Sequence, residues 1–276
     1  MRLVGSHLQF PVSYSVDGCS TPNKKLQTVD VTPRMHRESN GMLKRLVTEW
    51  DDFRLQLERL RSAAQVRPRD AQQVFQMTDS ANDGAANFTL TPIVFNVPER
   101  ADHLNTDLFV VVEGRLSFRR KEYTDSKVLA THDFATNVAY FRRTPTELQH
   151  VYGVHYDFSL NELGHPVFHG QMHSYLELAE VVKQQYNVDR QVIDCVGGVL
   201  RTVRIPTAQM DVFSFFIQLC ADHLLNAKSG WDEKAAFNSL LPKSEFWQGA
   251  AFQLPRLQTL GAYSCYRSRH WYAEIV

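Results

Sequence analysis

Between Met35 and Ala64, apolar residues recur at intervals of three and four: Leu43, Leu46, Val47, Trp50, Phe53, Leu57 and Leu60. That spacing gathers them on one stripe of a helix, opposite Lys44, Glu49, Asp51, Arg54, Glu58 and Arg61. Arg67-Pro68 is expected to lie beyond its end, because the residue before a proline avoids helical torsions. After the polar stretch 78–87 the pattern changes to alternation. Phe88–Val97, Leu108–Arg119, Lys127–Arg143, Val151–Phe158 and Pro166–Met172 read as strands. In Leu108–Arg119, Val110, Val112, Leu116 and Phe118 fall on one face and Arg115, Ser117 and Arg119 on the other. Pro92 places the first strand at an edge or a bulge. The last third turns helical again: Tyr175–Tyr186, then a largely apolar Gln209–Asn226 with Thr207 as candidate N-cap, then Trp231–Leu241 stopped by Pro242.

Consecutive strands with short connections predict an antiparallel meander and an α+β fold, not alternating βαβ units. The expected organisation is an irregular arm over 1–33 and a single α+β domain over 34–276. Within that domain the sheet spans 88–173, the helical part 175–242 and an aromatic tail 246–276, ending in a strand at Trp271–Val276. The 35–64 and 209–226 helices are expected to cover the apolar face of the sheet.

Composition narrows the function classes. The 276 residues carry 30 Lys+Arg against 30 Asp+Glu, and 43% are hydrophobic. Such a chain builds a core, so wholesale disorder is excluded. Zero net charge argues against an obligate nucleic-acid coat but leaves room for a local basic groove. No apolar run is long enough to span a membrane, and the first residues lack a signal-peptide pattern. Cys19, Cys195, Cys220 and Cys265 form no CxxC pair, which fits packed, reduced thiols. The expected location is the cytoplasm, with no membrane partner.

The most informative stretch is 150–173, which holds five of the eleven histidines. Histidine suits both proton transfer near neutral pH and binding of borderline metals. Alternation puts His155 and Asp157 on one face with Val151 and Gly153, and turns His150, Tyr152, Val154, Tyr156 and Phe158 to the other. On the next strand His165, Val167, His169, Gln171 and His173 share a face. Pairing 155 with 169 and 157 with 167, through a loop at 160–164, joins the polar faces. His155, Asp157, His169 and Gln171 then form one patch, and the aromatic faces merge on the other side.

Three chemistries fit that patch. His155 and His169 could serve as general base and acid with Asp157 orienting a ring, as a nuclease requires. Alternatively His155, Asp157, His169 and His173 could bind a divalent metal ion that activates water. The bland alternative is a set of cross-strand hydrogen bonds with no chemistry. Arg115, Arg119, Arg120, Arg142 and Arg143 would line a phosphate-binding surface if the 108–119 and 127–143 strands form a hairpin; otherwise they are a solvated sheet face. Arg201 and Arg204 either bind an anion or order the loop before the buried helix.

The motifs His155-Tyr156-Asp157-Phe158, His165-Pro166-Val167-Phe168-His169-Gly170-Gln171 and Arg204-Ile205-Pro206-Thr207 resemble a loose group of bacterial proteins found among mobile elements and antiphage defence systems. A more distant similarity is to TumE-like toxins. The resemblance covers roughly residues 150–225. It implies a component of a bacterial defence or toxin-type system that acts on or binds RNA or DNA, with a nuclease using the histidine hairpin as the catalytic form of that reading. Two alternatives stay open. One is a non-catalytic adaptor that holds protein partners in a larger complex through the 35–64 helix or the aromatic tail; the other is a sensor taking a small ligand in the polar patch.

Overall fold

A computed structural model describes residues 32–60 and 65–248, apart from 69, 79–83, 99–106, 128, 130, 159–165, 167, 197–202, 208–209 and 226–228. The expected N-terminal arm, the tail beyond 248 with its strand, and His165 lie outside the described residues. In chain order the elements are α1 (Thr32–Leu60), β1 (Gln65–Arg67), β2 (Phe75–Met77), β3 (Ala85–Pro98), β4 (Asp107–Arg119) and α2 (Arg120–Ser126). They continue with β5 (Thr131–Arg143), β6 (Glu147–Phe158), β7 (Phe168–Met172), α3 (Ala179–Tyr186), β8 (Gln191–Asp194), β9 (Arg204–Pro206), α4 (Val212–Leu219) and α5 (Trp231–Gln248). The fold is α+β, as the patterning implies.

The nine-stranded sheet runs β1-β3-β4-β5-β6-β7-β9, with β2 also on β3 and β8 on β6. All its pairs are antiparallel except β6 with β8. The β3–β4 pairing breaks register between Leu90 and Ile93, where Pro92 would otherwise have to donate to the ladder.

One face carries the main core. Leu46, Trp50, Phe53 and Leu57 of α1 and Phe213, Phe215 and Phe216 of α4 pack there on Phe88, Phe95, Val110, Val112, Leu116, Phe118 and Phe134. Phe216 is central, with ring centres 5.4 Å from Trp50, 5.1 Å from Phe53, 5.3 Å from Phe95 and 5.7 Å from Phe213. The N-cap of α4 is Asp211, not Thr207: its carboxylate accepts from the N–H groups of Phe213 and Ser214 at 3.0 and 3.1 Å. The apolar run continues past Leu219 as a π turn, Cys220–Leu224. Pro242 lies inside α5 and does not end it.

The opposite face is divided, which alternation did not predict. At one end Val94, Phe109, Val111, Ala139, Phe141 and Leu148 form a second apolar cluster under Tyr175, Leu178, Ala179, Val182 and Val188. Toward the other end of the same strands the residues turn polar: Glu113 and Arg115 on β4, Asp133 and Asn137 on β5, His155 and Asp157 on β6. The candidate chemistry sits where the α3 cover gives out.

Candidate functional site on the polar face of the sheet

Strand register places the site. Residue 155 pairs with 171 and 157 with 169, so β7 is displaced by two residues from the expected alignment. A two-residue slip keeps every side chain on its face, so burial patterning is blind to it. The predicted joining of the two polar faces therefore holds, while the predicted partners do not. One row across five strands reads Glu113, Asn137, His155, Gln171, Arg204. The adjacent row reads Arg115, Ala135, Asp157, His169, Pro206.

A continuous polar chain crosses β4 to β7. Asn137 Nδ2 donates to Glu113 Oε1 at 3.1 Å, and Asn137 Oδ1 accepts from the Tyr175 hydroxyl at 3.0 Å. The same Oδ1 lies 2.6 Å from His155 Nδ1. His155 Nε2 is 3.1 Å from Asp157 Oδ2, and His169 Nδ1 is 3.0 Å from Asp157 Oδ1. One carboxylate thus sits between two imidazoles. The side chains of His155 and Asp157 are 30% and 29% exposed, whereas His169 is 1% exposed.

Donor counting fixes part of the proton arrangement. Burial, then the charges of Glu113, Glu177 and Asp157, hold the Tyr175 hydroxyl well above its ordinary range, so it remains a donor. The Asn137 amide nitrogen is committed to Glu113, leaving its oxygen for His155. His155 Nδ1 must then carry hydrogen. A bond between Nε2 and the Asp157 carboxylate requires a further proton between those atoms. That proton is the one this geometry offers for transfer.

Of the other sequence-derived candidates, Gln171 joins the site and His173 lies apart. Gln171 is beside His155 in its row. His173 is exposed, its Nδ1 2.8 Å from the Ser174 carbonyl and its ring 4.6 Å from that of Tyr175. Among the described residues, no three His, Cys, Asp or Glu side chains form a group able to hold a metal ion. The donors of His155, Asp157 and His169 face each other and not a shared point.

The expected arginine surface is not assembled. Antiparallel pairing puts Arg142 opposite Leu108, at the far end of the hairpin from Arg119, which pairs with Ala85. Eleven residues of strand separate them, roughly 36 Å. Arg142 also faces the main core side, unlike Arg115, Arg119 and Arg143. Arg120 is buried and structural: its Nε donates to the Ala85 carbonyl at 3.0 Å, and it also bonds Ser39 and the Met35 carbonyl of α1. Arg115 pairs with Asp133 at 3.0 Å, and Arg143 pairs with Asp107.

His150 lies on the opposite face from the one that strand alternation predicts. Tyr140 pairs with Tyr152 but Phe141 with His150, so Val151 is bulged. The bulge turns His150 onto the α3 side, against the Phe141 ring at 4.9 Å, and sends Val151 toward the main core. No residue near 151 announces it. His150 Nδ1 lies 3.2 Å from Asp194 Oδ1, and Ser174 Oγ donates to Asp194 Oδ2 at 2.7 Å. Burial raises the Asp194 carboxyl, but bonds from Ser174, the Val196 N–H and His150 more than offset this and leave it below the ordinary carboxylate range. This second cluster clasps β8 to β6. The serine bonds the aspartate, not the histidine, so it is no nucleophile triad.

No helix among the described residues is long and apolar enough to cross a membrane. Compared with known proteins, the chain matches no family model, no curated protein and no solved structure.

Proposed function

We propose that the protein is a nucleic-acid-acting component of a bacterial defence or toxin-type system, and that His155, Asp157 and His169 form an acid–base centre for phosphodiester cleavage. The observation that carries this reading is the Asp157 carboxylate held between one buried and one half-exposed imidazole, on the polar part of the sheet beyond the cluster under α3. A carboxylate in that position orients both rings and supports transfer of a proton at His155 Nε2. The strand motifs that resemble bacterial defence proteins and TumE-like toxins point to the same substrate class.

A second reading is a non-catalytic adaptor in which the network only locks β5, β6 and β7 together. It is favoured by the burial of His169 and by the engagement of both His155 ring nitrogens. Labelled RNA and DNA, incubated with wild type and with Asp157→Asn, separate the two. A centre of this kind gives wild-type cleavage that persists in EDTA and falls about 10²–10⁴-fold in a folded variant. Absence of cleavage in every condition contradicts the catalytic reading and leaves the adaptor.

A further inference from the structure

We propose that Arg204 is the anion-binding residue of this site, holding a phosphodiester group of single-stranded nucleic acid over Gln171 and against His155. The inference rests on the proposed function in its choice of site. It names a residue that the catalytic argument did not use, and the strandedness of the ligand.

The register supplies the juxtaposition. Arg204 pairs with Gln171, and Gln171 with His155, so all three share a row on the polar face. Adjacent strands lie about 4.8 Å apart, which sets Arg204 roughly 10 Å from His155 along the row. A phosphate with a ring on one side and a long guanidinium side chain on the other fills that span.

Charge selects Arg204 from the arginines nearby. Arg115 is neutralised by Asp133, Arg143 by Asp107, and Arg120 is buried in backbone contacts. Arg204 is exposed, and among the described residues no carboxylate lies within ion-pair distance of it. The row also has a polarity. Glu113 stands at the β4 end and Arg204 at the β9 end, with Asp157 in the adjacent row. An anion is therefore repelled from the β4 side and drawn to the β9 side of His155. Among the described residues β9 is the last strand of the sheet path, so an extended backbone reaches Arg204 without crossing another described strand.

The test is fluorescence anisotropy with a labelled ~10-nucleotide single-stranded RNA, and its DNA counterpart, between ~50 and ~200 mM salt. Wild type, Arg204→Gln, Arg204→Lys and Arg115→Gln are compared, with inorganic phosphate as competitor. Arg204→Gln should weaken binding roughly three- to tenfold and reduce the salt slope by about 0.7, the share of one phosphate on a single strand. Arg204→Lys should restore much of the affinity, and Arg115→Gln should leave it unchanged. Competition by phosphate alone at equal affinity would reassign the ligand to a free anion and overturn the nucleic-acid part. Wild type that binds neither probe, or Arg204→Gln that binds like wild type, overturns the inference altogether. Binding that depends on Arg204 without any cleavage sinks the catalytic reading and leaves the anion site standing.

Discussion

Removing the Asp157 carboxylate tests whether it holds the two histidines. Its oxygens lie 3.1 Å from His155 Nε2 and 3.0 Å from His169 Nδ1. The His155 contact is a hydrogen bond and the His169 contact a close ionic approach, and removing one partner of a buried pair costs up to about 3–5 kcal/mol. The two ends are unequal, because His169 is 1% exposed and His155 is 30% exposed. Water screens the His155 end, which is worth about 1 kcal/mol or less. Asp157→Ala is therefore expected to cost about 2–4 kcal/mol, mainly because the buried His169 ring loses the carboxylate that lies against it. Asp157→Asn keeps the shape and one acceptor oxygen, and should cost about 1–2 kcal/mol. Urea unfolding at neutral pH measures both, and the denaturant slope should not change. A loss below ~0.5 kcal/mol for Asp157→Ala would refute the idea that the carboxylate organises the pair.

Asp194→Asn should lower stability by about 1 kcal/mol at neutral pH, discounted for its partial exposure. A carboxyl held below its ordinary range stabilises the fold above that range, and the benefit is lost as pH falls through the lower folded value. The difference between variant and wild type should therefore vanish in acid; a constant difference across pH would contradict the assignment. Gly153→Ala should be strongly destabilising, by more than ~2 kcal/mol, because its Cβ would sit 2.0 Å from the His173 carbonyl oxygen. Thermal melts that match wild type would show that this close approach does not exist. Phe216→Ala should cost about 3–5 kcal/mol by opening a cavity among Trp50, Phe53, Phe95 and Phe213, read by urea midpoint. In native alkylation followed by peptide mapping, the exposed Cys195 should label and the buried Cys220, whose thiol burial pushes far up, should not.

Much of the architecture was legible because burial imposes period. The stripe from Leu46 to Leu60 and the even positions of β4 each state which side meets the main core, but Glu49, expected on the polar face of the helix, is buried against Arg45 and Lys243, and the other face of β4 meets a second core at Phe109 and Val111. Three kinds of information were not in that pattern. A slip of two residues leaves parity intact, so the pairing of 155 with 171 emerged only from the fold. A bulge at Val151 inverts parity without a signature residue, which is why His150 was set on the wrong face. The ends of a hairpin are far apart, so arginines close in sequence to a turn and arginines at the strand tips do not form one patch. Asn137, Tyr175 and Glu113 were missed because ordinary strand and loop residues become site residues only through cross-strand neighbours. Asp211 displaced Thr207 as the cap because its carboxylate bonds two orphan N–H groups at the actual start of α4.

The central claim is that the polar face carrying His155, Asp157, His169 and Arg204 is the working surface of the protein. Its most direct test is amide and histidine-ring NMR of the labelled protein during titration with the short single-stranded RNA. Perturbations should concentrate on Asn137, His155, Asp157, His169, Gln171 and Arg204, and be absent from the α1 and α5 resonances. Perturbations confined to α1 or to Trp231 of α5, or no perturbation at all, would contradict that assignment and move the function to the helical side of the sheet.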